Sequence, residues 1–146
     1  MKRRVAVTGI GLITPLGTGN KLTWDAICEG RSGVRTIQKF DPVAAELKTH
    51  IAGEIPDFDA NDFMDAKELK KSDRFIHFAI AATKLALDDA NLEITEELSP
   101  HVGTLIASGI GGMETLVNTH LVLLEKGPSR ISPFFIPSMI SNMAAG

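Results

Sequence analysis

The sequence predicts an α/β fold. Two short apolar segments, residues 4–8 and 102–107, each run into a glycine-containing turn, which is typical of buried strands. Between them, residues 74–91 repeat apolar side chains with the period of a helix. Because strands and helices alternate along the chain, we expect the elements to stack in layers.

The first segments of the chain are predicted to form a strand, a helix and an irregular excursion. Residues 22–29 follow the strand at residues 4–8 and are expected to form the helix, which Gly30 ends. From residue 31 to residue 59, turn residues interrupt short apolar stretches. We therefore predict irregular structure there, with one short strand at residues 51–55.

The middle of the chain carries the clearest helical signals. Asp65 is positioned to cap a short helix, because Glu68 follows three residues later as in a capping box. The helix predicted over residues 74–91 ends at Asn91. Its apolar face comprises Phe75, Phe78, Ala82, Leu85 and Ala86.

The last part of the chain is predicted to contain a strand, a helix and an uncovered apolar stretch. The strand at residues 102–107 leads through a flexible turn at 108–112 into a helix at about residues 113–125, which Gly127 ends. Two predicted strands are too few for a self-sufficient sheet, so we expect the chain to be part of a larger domain. The final stretch has the spacing of a helix face that needs packing partners, formed by Met139, Ile140, Met143 and Ala144.

Composition and charge exclude several classes of protein. Of the 146 residues, 44% are hydrophobic and 23% charged, as in globular domains. The net charge of −3 argues against general nucleic-acid binding, which needs a basic surface. Cys28 is the single cysteine, so the chain has no internal disulfide. Because glycines interrupt the apolar run near the N-terminus and no run approaches the ~20 residues of a membrane span, we expect a cytoplasmic protein.

Two glycine-rich turns each allow more than one interpretation. Gly9 and Gly11 follow a strand as in a dinucleotide-binding turn, but Thr14 occupies the place of the third glycine, so a tight strand exit is the simpler interpretation. The turn at residues 108–112 precedes a helix, whose backbone N–H groups are suited to hold an anion. Its glycines also permit close backbone approach to a ligand or a neighbouring segment, and Ile110 within it fills either the core or a cavity.

A set of basic residues is spaced to share one face of a continuous helix. A solvated helix face is the usual explanation of such a stripe. The alternative is a docking surface for an acidic partner, whose encounter and orientation complementary charge would guide. The set comprises Lys67, Lys70, Lys71 and Arg74.

The cysteine and the histidines indicate no metal or nucleophilic site. Cys28 lies in a predicted helix beside apolar residues, where a free cysteine is usually a small apolar group. The four histidines lack the spacing of metal ligands, so no metal and no cofactor is expected. They are His50, His77, His101 and His120.

Taken together, these segments resemble the β-ketoacyl-acyl carrier protein synthases, in particular the type II enzymes that elongate fatty acids. The matching motifs occur in the family's order along essentially the whole chain. They are residues 3–11 (RRVAVTGIG), 14–17 (TPLG), 30–34 (GRSGV), 40–41 (FD), 108–112 (SGIGG) and 127–137 (GPSRISPFFIP).

The resemblance implies a fold, an activity and partners. The fold is a thiolase-like α/β/α/β/α sandwich, of which this chain is the incomplete first half, and the complete protein is a homodimer. Such enzymes transfer an acyl chain from acyl carrier protein to a cysteine and condense it with malonyl-carrier through decarboxylation. The implied partners are the acidic carrier and its acyl and malonyl thioesters, without nucleic acid or membrane.

The resemblance also implies that no catalytic residue lies in this sequence. The family's nucleophilic cysteine and its two catalytic histidines correspond to positions after Gly146, and Cys28 does not match the nucleophile. Residues 1–146 are therefore expected to be the N-terminal part of a ketoacyl synthase domain, truncated before the nucleophile and inactive alone.

Supporting roles transfer to three groups of residues. Ile110 matches the position that gates the acyl pocket, and Phe134 and Phe135 match the segment that lines this pocket at the dimer interface. Three lysines match the basic patch that receives the carrier protein, and Arg74 extends it on helical spacing only. These lysines are Lys67, Lys70 and Lys71.

Two other functions remain open. Chain-length-factor partners of condensing enzymes share the fold and these early motifs but lack the cysteine nucleophile, so the residue at the nucleophile position discriminates them. The weaker alternative is a nucleotide-binding domain built on Gly9 and Gly11.

Overall fold

Helices dominate the regular structure of the chain. The structure, a computed structural model, describes residues 3–146. The α-helices in this range are α1 (Asn20–Cys28), α2 (Ala66–Leu69), α3 (Arg74–Asp89), α4 (Met113–Lys126) and α5 (Phe135–Met139). Short 3-10 helices occur at Ala60–Asp62, Ser99–His101, Pro128–Arg130 and Ser141–Ala144.

The strands of the described residues form two small antiparallel pairs. β1 (Ile13–Thr14) pairs with β2 (Gly17–Thr18), with Ile13 opposite Thr18. β3 (Arg35–Thr36) pairs with β4 (Ile51–Ala52), with Thr36 opposite Ile51. The second pair closes the irregular excursion and confirms the start of the short strand predicted at residues 51–55.

The prediction that residues 4–8 and 102–107 form strands is wrong. Residues 4–8 and 102–107 lie outside every helix and strand, and Val5 and Leu105 are 92% and 97% exposed. A strand requires a hydrogen-bonded neighbour, and neither segment pairs with another described residue. An apolar, β-branched sequence indicates a segment that favours a sheet, but it does not supply the partner.

The predicted long helices are confirmed within a few residues. α1 begins at Asn20 and ends at Cys28, two positions before the predicted Gly30 stop, where φ is +70°. α3 and α4 match residues 74–91 and 113–125 closely. Gly127 ends α4 with φ +80°, a conformation that residues with a Cβ rarely adopt.

The basic segment does not form one continuous helix. α2 ends at Leu69 and α3 begins at Arg74, so residues 70–73 form a turn between them. Asp65 occupies the N-cap position of α2 as predicted, but its side chain makes no capping hydrogen bond there. The spacing argument that placed Arg74 on the lysine face is therefore wrong, because it required an unbroken helix.

α3 packs closely against the first glycine turn. Cβ atoms built on Gly9 and Gly11 would lie 2.2 Å and 2.0 Å from the carbonyl oxygens of Ala86 and Ala82. The Ile10 N–H also donates a hydrogen bond to the Asp89 carboxylate at 2.9 Å. Ala82 and Ala86 of the predicted apolar face therefore contact the N-terminal segment. The most buried residues of α3, Ile76 and Ala81, are not among the five residues of that face.

A small aromatic cluster anchors the excursion to α3. The ring of Phe58 lies 4.9 Å from that of Phe78 and 5.9 Å from that of Phe63. Next to it, Asp59 caps the 3-10 helix at Ala60–Asp62 by accepting the Asn61 N–H at 2.9 Å. Hydrogen bonds from the backbone and side chain of Asn61 lower the pKa of Asp59 from its ordinary value of 3.8.

The final apolar stretch is packed rather than left uncovered. α5 packs on α4, and the 3-10 helix Ser141–Ala144 packs on α3. The expected single helix face is interrupted at Ile140, whose backbone is extended. The four residues expected to need partners are all half-buried: Met139, Ile140, Met143 and Ala144. The expectation that this apolar stretch stays uncovered is wrong, because α3 and α4, which precede it in the chain, pack onto it.

Candidate functional site

The second glycine turn is fixed by contacts with α5. The Gly112 N–H donates to the Met139 carbonyl at 2.8 Å, and the Gly111 N–H donates to the Ser108 hydroxyl at 2.9 Å. Gly111 has φ +81°, and a Cβ there would lie 2.6 Å from the Met139 oxygen. The turn needs glycine at this position for both conformation and space.

Ile110 projects from this turn at the edge of an open pocket. The pocket has a volume of about 530 Å³, within the size range of small-molecule sites. Ile110 is 72% exposed, so its side chain is not part of the core. The other lining residues are Gly112, Met113, Leu116, Met139, Ile140, Ser141 and Asn142.

The N-terminus of α4 is occupied by a carboxylate of the protein itself. Asp73 is 7% exposed, and its Oδ2 accepts the Thr115 N–H at 2.8 Å. An aspartate carboxylate stabilises a helix N-terminus through the hydrogen bond and the helix dipole. The backbone N–H groups at the start of α4 were expected to be suited to hold an external anion. One of them, that of Thr115, is already bonded to the Asp73 carboxylate.

A second buried polar group joins α5 to the turn between α2 and α3. Ser138 is 7% exposed, and its hydroxyl donates to the Lys71 carbonyl at 2.7 Å. A buried hydroxyl such as that of Ser138 is costly to leave without a hydrogen-bond partner. Lys71 therefore has a fixed backbone although its side chain is exposed.

Three exposed lysines form a basic surface on α2 and the turn after it. We call Lys67, Lys70 and Lys71 the lysine surface. Within residues 3–146 the ion pairs are Lys21 with Asp25 and Arg31 with Glu29, so none involves these lysines. The three side chains are exposed to solvent. Their ammonium groups are available to an acidic partner.

The lysine surface meets the phenylalanine segment at one contact. The Lys71 ammonium lies 5.0 Å from the centroid of the Phe134 ring, within cation–π distance. Phe134 is 42% exposed and Phe135 is half-buried at the start of α5. Neither residue lines the Ile110 pocket within this chain.

Arg74 does not extend the lysine surface. Its Nη2 donates to the Ile55 carbonyl at 3.4 Å, and its guanidinium carbon lies 5.0 Å from the Phe78 ring centroid. Arg74 is half-buried and holds the excursion against α3. The structure therefore removes it from the set of docking residues.

The first glycine turn has the geometry of a packing contact. Gly9 and Gly11 face the carbonyl oxygens of α3, and α1, the next helix, begins only at Asn20. A dinucleotide-binding turn instead leads directly into a helix N-terminus that receives the pyrophosphate. The strand-exit interpretation fits this structure and the nucleotide interpretation does not.

The cysteine and histidines are not assembled into a reactive site. Cys28 is exposed at the end of α1 rather than in the Ile110 pocket. His50 contacts the Leu47 carbonyl at 2.8 Å, and His77 contacts the Ser72 hydroxyl at 3.0 Å. Among the residues that the structure describes, no group of three side chains is placed to hold a metal ion, and no helix is both long and apolar enough to cross a membrane.

The chain matches one protein family over nearly its whole length. The family model described as beta-ketoacyl synthase, N-terminal domain, matches residues 2–146. The chain belongs to the β-ketoacyl synthase family, and the resemblance seen in its motifs is confirmed.

Curated relatives identify the branch of the family that the chain is similar to. It is 48% identical over 145 residues to 3-oxoacyl-[acyl-carrier-protein] synthase 2 of Synechocystis sp., and 48% identical over 145 residues to the protein of the same name from Vibrio harveyi. In each case the match covers 99% of this chain and 34% of the relative. The chain therefore spans about a third of the length of these relatives.

A solved structure confirms the predicted fold class. The structure described as the ishigamide ketosynthase/chain length factor superposes with a TM-score of 0.79 at 26% identity. The match covers 99% of this chain and 36% of that one. The chain is thus part of a thiolase-like α/β fold, although most of the sheet expected for that fold is not formed by residues 3–146.

The sequence missed several residues that build the site. Asp73 precedes α3 and would be assigned as the N-cap of its own helix, yet its carboxylate binds the N-terminus of α4, 42 positions away. Ser138 carried no local signal. Met113 and Leu116 lie in the helix predicted at about residues 113–125, and their place in the pocket depends on how α5 folds back.

Proposed function

We propose that this chain supplies the acyl-pocket wall and the carrier-docking face of a β-ketoacyl-[acyl-carrier-protein] synthase. The enzyme extends an acyl chain by decarboxylative condensation with malonyl-carrier. The observation that carries the proposal is the Ile110 pocket beside the lysine surface, in a chain 48% identical to synthases of this name.

The pocket supports an acyl substrate through its lining. Ile110, Met113 and Leu116 present apolar side chains to an open volume of about 530 Å³. An alkyl chain gains about 0.8 kcal/mol for each CH₂ group that it buries. Ile110 acts as the gate, because its exposed side chain stands at the pocket edge and is free to change rotamer.

The lysine surface supports an acidic carrier protein as the partner. Lys67, Lys70 and Lys71 are exposed and lie outside the ion pairs of the described residues. Complementary charge of this kind speeds encounter and fixes orientation more than it strengthens the final complex. The contact between Lys71 and Phe134 supports a docking face close to the Phe134 segment, which in the proposed homodimer would approach the pocket of the partner copy.

The covalent chemistry is assigned outside the residues described here. A cysteine thiolate accepts the acyl group, which divides the condensation into two easier steps. Histidines and oxyanion donors stabilise the charge that develops as CO₂ leaves. The role of this chain is to bind and orient the substrates, and we propose that the enzyme works in the cytoplasm without a metal or cofactor.

A hybrid enzyme tests the proposal. In this hybrid, residues 2–146 replace the matching third of the Synechocystis relative, whose remaining residues are kept. With acyl-carrier and malonyl-carrier, we expect the hybrid to release ketoacyl-carrier and CO₂ in equal amounts. A hybrid that has native far-UV circular dichroism but no turnover contradicts the proposal, and the intact relative serves as the control.

A second function, that of a chain-length-factor partner, is favoured by the likeness to a ketosynthase/chain length factor structure. Identity to that structure is 26%, against 48% to the synthases, which supports the enzyme as the leading proposal. Sequencing the gene past the codon for Gly146 separates the two. A cysteine at the nucleophile position supports the enzyme, and another residue there supports the chain length factor.

A further inference from the structure

Two hydrogen bonds tie the turn at residues 70–73 to α4 and α5, the two helices that line the Ile110 pocket. Asp73, two residues after Lys71, accepts the Thr115 N–H at the start of α4 at 2.8 Å. Ser138, in α5, donates to the Lys71 carbonyl at 2.7 Å. Both side chains are 7% exposed, so water does not readily replace either bond.

The turn at residues 70–73, the start of α4 and α5 meet at Gly112 without free space between them. A Cβ on Gly112 would lie 2.6 Å from the Ser138 carbonyl oxygen and 3.0 Å from the Asp73 carboxylate. Gly112 is two residues from Ile110, and its N–H is bonded to the Met139 carbonyl at 2.8 Å. We call Asp73, Gly112 and Ser138 the junction. Close-packed groups of this kind move together rather than independently.

Two partners can compete for the Lys71 ammonium: the Phe134 ring and a carboxylate of an acidic carrier. In this structure the ammonium lies over the Phe134 ring at 5.0 Å. An acidic carrier offers carboxylates, which compete with the ring for the same ammonium. Because Ser138 holds the Lys71 carbonyl, a shift of the turn towards the carrier is transmitted to α5, whose residues Met139 and Ile140 line the pocket.

We infer that Asp73 and Ser138 are positioning residues that couple carrier docking on the lysine surface to the setting of the Ile110 gate. The inference rests on the proposed function and deepens it, because it makes acyl-chain selection depend on the carrier that delivers the chain. A coupling of this kind is reciprocal: the carrier favours one gate position, and a long acyl chain favours the docked turn.

The test compares two ways of delivering the acyl group to the hybrid enzyme. In the first step the acyl group leaves the donor thiol and forms a thioester on the cysteine of the relative's portion, and the donor thiol is released. Intact-mass spectrometry measures this step for a long and a short acyl group, each presented on the carrier and on a small thiol. The readout is the long-to-short rate ratio in each mode of delivery.

We expect the ratio to differ between the two modes by about fivefold or more, the lower end of ordinary coupling. Ser138→Ala removes the hydroxyl and Asp73→Ala removes the carboxylate, so each variant loses one of the two hydrogen bonds. Both variants should bring the two ratios within about twofold of each other. Thr83→Ala is the matched control, because its hydroxyl bonds only within α3, to the Ala79 carbonyl at 2.8 Å, and it should keep the full difference.

The outcomes separate this inference from the proposed function. A hybrid that turns over carrier substrates but has the same ratio in both modes overturns the coupling and leaves the proposed function standing. A difference that survives in Ser138→Ala, in protein with a native circular dichroism spectrum, overturns the role of the junction. A folded hybrid without any acyl transfer from the carrier overturns the proposed function and this inference with it.

Discussion

Adding one methyl group at Gly112 should loosen the start of α4. A Cβ at this position would lie 2.6 Å from the Ser138 carbonyl oxygen, 2.8 Å from the Met139 Cα and 3.0 Å from the Asp73 carboxylate. Two of these neighbours are backbone atoms, which cannot rotate away. The φ of Gly112, −82°, suits alanine, so the effect of Gly112→Ala comes from crowding and not from backbone conformation.

The size of the effect follows from these distances. To restore an ordinary contact of 3.4 Å, the Ser138 oxygen must retreat by about 0.8 Å. Overpacking of this kind costs about 1–3 kcal/mol, and loss of the bond from Gly112 to Met139 adds about 1 kcal/mol. We therefore expect local opening of the turn to become easier by about 2–4 kcal/mol, or at least about 30-fold.

Amide hydrogen exchange of the hybrid enzyme measures this opening directly. A peptide that contains Gly112 and Thr115 should exchange at least about 30-fold faster in Gly112→Ala than in the unsubstituted hybrid. Gly109→Ala is the matched control, because it lies in the same turn and its Cβ would have no neighbour within 4 Å. Equal exchange in the two variants would refute the argument that the junction is tightly packed.

Two further predictions concern the lysine surface and the gate. Replacing Lys70 and Lys71 by Glu in the hybrid should weaken carrier binding about tenfold and flatten its salt dependence, because exposed ion pairs contribute up to ~1 kcal/mol each. Calorimetry measures the affinity, with Lys48→Glu, at another exposed lysine, as the control. An unchanged affinity would mean that Lys70 and Lys71 belong to a solvent-exposed surface that does not bind the carrier. Ile110→Phe should fill the pocket and lower turnover of long acyl chains relative to short ones by about tenfold or more, since one methylene in an apolar pocket is worth 10-fold or more. Leu105→Phe, at a position 97% exposed, is its control, and an unchanged chain-length preference in Ile110→Phe contradicts the gate.

Local signals predicted the helices well because their causes are local. The period of apolar residues and the glycine at position 127 are properties of neighbouring residues, and the structure places α3 and α4 where those patterns indicate. The interruption of the lysine stripe was also visible in the sequence. A helix was predicted to start at residue 74, and Asp73 is a common N-cap residue, so the spacing argument should not have assumed an unbroken helix.

The site depended on contacts that no local pattern contains. The bond from Thr115 to Asp73 spans 42 positions and that from Ser138 to Lys71 spans 67. Helix propensity and charge spacing carry no information about which distant segments meet. Motif resemblance implied separate roles for Ile110 and for the lysines, and the contacts of the junction between them are seen only in the three-dimensional structure.

The two apolar segments that form no strand have a consequence for handling the protein. Residues 4–8 and 103–107 make no backbone hydrogen bond with another described residue, and Val5, Val7 and Leu105 are largely exposed. Such a stretch is a template onto which a foreign chain readily adds itself, as at an open sheet edge. We therefore expect the isolated polypeptide to self-associate through these stretches. A partner segment that pairs with them would prevent this self-association and keep the polypeptide in solution.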